Sequence, residues 1–167
     1  MSPARGESAP GGSAAGAPAS KDPVDPPCVF CRIVCGDEPA HEVLRDAVAV
    51  AFLDVRPLFP GHVLVVPRPH VVTLPDLAVA GVAPLFERVR MLSAAVRDAT
   101  GAQGSFVALN NQVSQSVPHL HVHVVPRTRG DGLRGFFWPR TRYDSDDHAA
   151  SVAASIGEAY RSLSPPG

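Results

Sequence analysis

No apolar run in this 167-residue chain approaches the length of a membrane-spanning helix, and none has the flanks of a secretory leader. A membrane role is therefore not expected, and a reducing cytoplasm is the default compartment. Cysteine is scarce: of three, two fall in the run Cys28-Val29-Phe30-Cys31, which excludes a disulfide framework. An excess of either charge is also lacking. With 15 basic and 16 acidic residues, the chain has no global field for nucleic acid or an anionic membrane, so an anionic ligand must be held by a local site. No internal repeat implies a solenoid. What is present, 45% hydrophobic and 19% charged residues, is the make-up of one soluble domain.

Residues 1–27 hold six Pro, four Gly, four Ser and six Ala, with nothing large and apolar between Met1 and Val24. Such a segment buries too little surface to offset its ordering entropy, so a disordered tail is expected, with the folded domain over 28–164. Its single Arg and single Lys beside Glu7, Asp22 and Asp25 do not make a transit peptide. Strand signals follow at His41–Arg45, Val48–Asp54 and His62–Pro67, the last entered through Pro60-Gly61. Val82, Leu85, Phe86, Val89, Leu92 and Val96 recur at helical spacing, predicting a helix to Thr100 stopped by Gly101. Ser105–Asn110 and His119–Val125 read as a fourth and fifth strand. Ser145, Asp146 and Asp147 suit the start of a second helix with the stripe Val152, Ile156, Tyr160 and Leu163. The pattern is α+β with a mainly antiparallel sheet.

The run His119-Leu120-His121-Val122-His123-Val124-Val125 carries the chemistry. Strict alternation sets three imidazoles on one strand face, roughly 6.5–7 Å apart, and Leu120, Val122 and Val124 into a core. That row can bracket a phosphate or reach from a metal to a reacting centre. Neutral imidazole is a competent nucleophile toward phosphorus, and its unperturbed pKa of about 6.5 keeps it largely neutral near pH 7. His121, with a neighbour on each side, is the best-placed nucleophile. A backbone carbonyl accepting one ring N–H would aim its other nitrogen at an α-phosphate.

The order Cys28-x-x-Cys31, Phe52-Leu53-Asp54, Gly61-His62-x-Leu64-Val65-Val66-Pro67, His70 and Gln115-Ser116-Val117-Pro118-His119-x-His121-x-His123 resembles the histidine triad nucleotide-binding family, over about Pro27 to Trp138. The resemblance implies a five-stranded antiparallel sheet with two helices and a homodimer whose sheets join. It also implies a nucleotidyl intermediate on His121, hydrolysed by water, with His123 on phosphate oxygens and Ser116 on the leaving-group side. Asp54 would accept both ribose hydroxyls, while Phe30, Ile33, Phe52 and Val55 would sandwich a purine by its faces, tolerating adenine and guanine. Gln115, Asn111 and His62 are further candidates for substrate contact, His62 with an indirect role. Each also has a plainer reading as turn chemistry or core. The loop Asn111–Ser114 is shorter than the family's usual one and has Val113-Ser114 where glycine commonly precedes the Gln.

Cys28 and Cys31 offer two soft ligands, and a tetrahedral zinc needs two more. His70 and His119 can complete it, as their equivalents do in the zinc-containing bacterial branch. Such a zinc would be structural, and the chemical step would need no cofactor. A redox pair or two metal-free thiols are the alternatives. Trp138 resembles the tryptophan of that branch's C-terminal segment, and Arg127, Arg129, Arg134 and Arg140 could steer polyphosphate or merely solvate a loop.

The expected function is hydrolysis of a purine nucleotide at its α-phosphate, foremost of a nucleoside phosphoramidate, with release of the monophosphate. One alternative is a dinucleoside polyphosphate hydrolase or phosphorylase; another is a regulatory nucleotide-binding protein with little turnover. Neither nucleic acid nor membrane is an expected partner.

Overall fold

A computed structural model describes residues 28–133 and 142–163. The expected tail, Trp138, Arg134 and Arg140 lie outside the described residues. The chain divides into two compact units, at Arg129 and Gly130.

The first unit is an antiparallel sheet covered on both faces. Its strands are β1 (Glu42–Arg45), β2 (Ala49–Leu53), β3 (Val63–Pro67), β4 (Gly104–Ala108) and β5 (Val122–Arg127), in the order β1-β2-β3-β5-β4. Helix α1 (Val29–Cys35) precedes the sheet, and helix α2 (Val79–Thr100) connects β3 to β4 after a 3-10 turn at Leu74–Asp76. Alternation along the strands divides the core. Ala49, Ala51, Val63, Val65, Leu120, Val122 and Val124 pack with Leu85, Val89 and Val96 of α2. Val50, Phe52, Leu64 and Val66 pack on the opposite face with Phe30, Ile33 and Val34 of α1.

Helix α1 is an addition to the two helices expected. Two turns are too few for apolar periodicity to declare itself, and its N-cap is Cys28, with no side-chain cap. It stops at Gly36, whose φ of +89° suits glycine. Two of its last carbonyls, on Ile33 and Val34, accept hydrogen bonds at 2.8 Å from the Arg45 guanidinium. That clamp satisfies groups a short helix leaves open and ties α1 to β1.

Strand β5 begins at Val122 rather than at His119. Its register against β3 pairs Val65 with Val122. Continued, this would set Leu120 opposite Pro67, which has no N–H to give. The Leu120 N–H instead donates to Val71 O at 2.7 Å. The expected alternation survives the break: Leu120 is fully buried in the core beside α2, while His123 pairs with Leu64 of the opposite face.

In the second unit, α3 (Asp146–Leu163) begins where Ser145 Oγ accepts the His148 N–H at 3.1 Å, with Asp146 and Asp147 in its first turn. Its stripe is largely exposed, Ile156 and Leu163 included. Among the described residues no helix is long and apolar enough to cross a membrane.

Candidate active site

A cleft of about 560 Å³ opens on the α1 face of the sheet. One side is apolar: Phe30 and Ile33 come from α1, Phe52 from β2, and Val55 stands on the exposed rim. The Phe30 and Phe52 rings meet edge to face with centroids 5.4 Å apart. The other side carries Asp54, Ser116, His121 and His123. An apolar slot for a ring ending in convergent polar groups is the usual form of a small-molecule site.

Neighbouring groups set the tautomer of each imidazole. Nδ1 of His121 lies 2.7 Å from the main-chain oxygen of His119, which can only accept, so the proton sits on Nδ1 and Nε2 keeps its lone pair. For His62, Nδ1 accepts the Leu58 N–H at 3.2 Å, which puts the proton on Nε2. That Nε2–H donates to Nδ1 of His123 across 2.9 Å, leaving His123 with Nε2–H as its free donor. One ring thus offers a lone pair and the next a proton, with centroids 4.9 Å apart. This complementary pair suits a nucleophile beside a group that binds phosphate oxygen.

Burial favours the neutral form of His123 and of His62. It pushes His123 down to about 4, assisted by the neighbouring His121 and His62. His62, only 3% exposed, is also pushed down by burial; the Asp54 carboxylate, 3.5 Å from its Nδ1, opposes that shift in part.

Behind the row lies a second cluster. Nδ1 of the fully buried His119 is 3.6 Å from Cys28 Sγ and 3.5 Å from Cys31 Sγ, and His70 Nδ1 is 3.1 Å from Cys31 Sγ. A tetrahedral zinc with Zn–S about 2.3 Å and Zn–N about 2.0–2.1 Å spaces sulfur and nitrogen ligands by about 3.5 Å. The donor set fits that ion in atom type and spacing. His119 Nε2 is 3.1 Å from the Pro67 carbonyl, which takes its proton and turns the Nδ1 lone pair to the thiols. Burial and the thiols of Cys28 and Cys35 push the Cys31 thiol up to about 11, a situation a bound cation reverses.

Residues 36–130 match the HIT domain family. The chain belongs to the histidine triad family. This histidine triad protein is 35% identical over 125 residues to an uncharacterised HIT-like protein of Mycobacterium tuberculosis, covering 74% of this chain and 87% of the relative. It is 32% identical to an adenosine 5'-monophosphoramidase of Schizosaccharomyces pombe, over 67% of this chain and 83% of that enzyme. Among solved structures, a zinc-bound histidine triad family protein from Mycobacterium smegmatis superposes with a TM-score of 0.62 at 34% identity, covering 81% of this chain and 97% of that one.

The fold brings Phe30, Ile33, Phe52, Asp54, Val55, Ser116, His121 and His123 to one cleft, and Cys28, Cys31, His70 and His119 to one cluster. Asn111, Gln115 and His62 are placed differently. Asn111 Oδ1 accepts the Leu74 N–H at 2.9 Å, and the Gln115 amide spans from the Gln112 N–H at 2.8 Å to the Val72 carbonyl at 2.7 Å. Both side chains brace the loop that presents Ser116. His62 is not in the cleft lining, and its Nε2 faces Nδ1 of His123. Sequence reading missed His41 and Arg56 in the cleft wall. His41 reaches it because its carbonyl accepts the Leu53 N–H at 2.9 Å, a register that no local pattern announces.

Proposed function

We propose that this histidine triad protein hydrolyses purine nucleotides at the α-phosphate and releases the nucleoside monophosphate, with nucleoside phosphoramidates as its leading substrates. The observation that carries the reading is the Nδ1–H of His121 donated to the His119 carbonyl, which leaves Nε2 as a lone pair at the cleft wall. That lone pair attacks phosphorus; the phosphorus–nitrogen bond to the leaving amine breaks, and the amine departs with a proton taken from solvent, which the water that attacks in the second step gives back. Water then attacks the phosphorus of the nucleotidyl-histidine, and the imidazole returns with its original tautomer. His123 Nε2–H binds a phosphate oxygen, and Ser116 supports the leaving group. Asp54 receives the ribose hydroxyls, and the base lies between Phe30, Ile33, Phe52 and Val55. The relative named as a monophosphoramidase supports the substrate class.

Cys28, Cys31, His70 and His119 hold zinc in this reading. Such an ion supplies a closed structural link among those four side chains. A homodimer is also proposed, since β4 is a sheet edge whose backbone groups can pair with a second copy. Three free cysteines go with a reducing compartment, here taken to be the cytoplasm.

The test is a product assay comparing an adenosine phosphoramidate with a dinucleoside tetraphosphate, each also given to His121→Ala. Monophosphate release from the phosphoramidate that His121→Ala loses, while still binding AMP, is the expected result. Preference for the dinucleotide would move the protein to polyphosphate hydrolysis. Absence of turnover on both would favour a binding role.

A further inference from the structure

One residue belongs to both clusters. The ring of His119 faces the two thiols, and its main-chain oxygen fixes the tautomer of His121 from 2.7 Å. Helix α1 doubles the link. Its N-terminal end carries Cys28 and Cys31, and the same turns supply Phe30 and Ile33 to the cleft wall. The Phe30 ring also stands 5.2 Å from that of His121. At its far end α1 is held by Arg45, but its first turn has no side-chain cap. The thiols, together with the Phe30 ring, tie that turn to the nucleophile's segment.

We propose that the Cys28–Cys31–His70–His119 centre is a control site, whose metal loading sets both nucleotide affinity and the readiness of His121. With the four donors joined through one ion, the first turn of α1 and the His119 peptide are held together, so the base wall and the His121 tautomer are set at once. Without it, two thiols and two imidazoles make only weak mutual hydrogen bonds, at 3.1–3.6 Å. The first turn of α1 then loses its tie to His119, and the His119 carbonyl is kept on Nδ1 of His121 only by the anchors that remain, Leu120 N–H on Val71 O at 2.7 Å and His119 Nε2 on the Pro67 carbonyl at 3.1 Å. His119 is thus a positioning residue for the nucleophile, acting through its backbone. The inference rests on the metal reading of the cluster, which elemental analysis tests separately.

The experiment uses the full chain, purified with zinc, then chelated and titrated back with zinc alone. Three quantities are followed: zinc per chain, AMP affinity, and the ring 15N shifts of His121. Removal of a supporting shell of this kind weakens function about 10- to 100-fold, so AMP affinity should fall by about tenfold on chelation and return in step with zinc. The Nδ1–H signature of His121 should give way to mixed tautomers and return likewise. His70→Ala removes the exposed ligand, which comes from neither α1 nor the His121 segment, and should need more zinc to reach the same affinity. Zinc leaving with affinity and tautomer unchanged would overturn the proposal. So would general loss of circular dichroism on chelation, which would make the centre a folding staple. Absence of stoichiometric zinc in the purified protein would instead remove the metal reading itself.

Discussion

Nε2 of His62 donates to Nδ1 of His123 across 2.9 Å, although the two residues lie 61 positions apart in the chain. His62 is poised for this by the Leu58 N–H on its other nitrogen, so a backbone amide orients one ring and that ring orients the next. Replacing His62 by Ala leaves His123 Nδ1 without its donor. A buried acceptor stripped of its partner costs about 1–3 kcal/mol, equivalent to roughly 10- to 100-fold in rate if the loss falls on the transition state. Steady-state kinetics of His62→Ala should show that fall in kcat, with AMP affinity changed much less. An unchanged kcat would detach His62 from the reaction.

The pH response of stability follows from the direction of the His123 shift. Burial, with the charges of His121 and His62, lowers its pKa from 6.5 to about 4. The folded state therefore favours the neutral ring, and the unfolded chain takes up a proton more readily. Its contribution to stability is present in full above about pH 6.5 and is lost as pH falls toward 4. Urea unfolding at pH 7 and pH 4.5 should show a smaller loss on acidification for His123→Asn than for the natural chain. The remaining loss belongs to other groups, His62 among them, whose pKa is lowered in the same direction. A midpoint near 6.5 for the His123 ring in an NMR titration would contradict this account.

How far the site was legible depends on how its parts are encoded. Residues on one strand face share a period of two, so the burial of Leu120, Val122 and Val124 and the shared face of the histidines follow from local spacing. Cys28 and Cys31 are likewise one helical turn apart. The strand start was not legible, since it depends on Pro67 lying across the sheet. Nor was α1, whose carbonyls are satisfied by Arg45 from another element. Gln115 shows the same limit: its position suits a phosphate contact, yet its amide is taken at both ends by backbone groups, one of them on Val72. Such partners come from tertiary approach.

Gly61 sets how close β3 comes to the end of α2. Its φ is +93°, and a Cβ there would stand 2.6 Å from Thr100 Cγ2. Gly61→Ala combines left-handed strain with a clash against a β-branched side chain, together about 2–4 kcal/mol of stability. Thermal or urea unfolding should show it, and adding Thr100→Ala should return the steric share while leaving the backbone share. Because His62 follows directly, the single variant should also lose activity at temperatures where it remains folded. A stability change below about 0.5 kcal/mol would mean that the backbone shifts freely at this point, contrary to the packed geometry.

Ser114 occupies the left-handed region, with φ +62°, in the loop that leads to Ser116. Gln112, at φ +66°, does the same two residues earlier. The loop thus keeps a backbone shape suited to glycine while holding a serine just before Gln115. The left-handed conformation costs a non-glycine residue about 1–2 kcal/mol, whereas glycine brings about 0.5–1 kcal/mol of extra unfolded-state entropy. Ser114→Gly should therefore be neutral or more stable by up to about 1 kcal/mol, and Ser114→Val, branched at Cβ, less stable by about 1–2 kcal/mol. Comparison of their melting temperatures with the natural chain decides it. Destabilisation by glycine would mean that the serine contributes more than its backbone shape. Stabilisation with unchanged kcat would show that the Gln115 bridge between Gln112 and Val72, rather than residue 114, keeps Ser116 at the cleft.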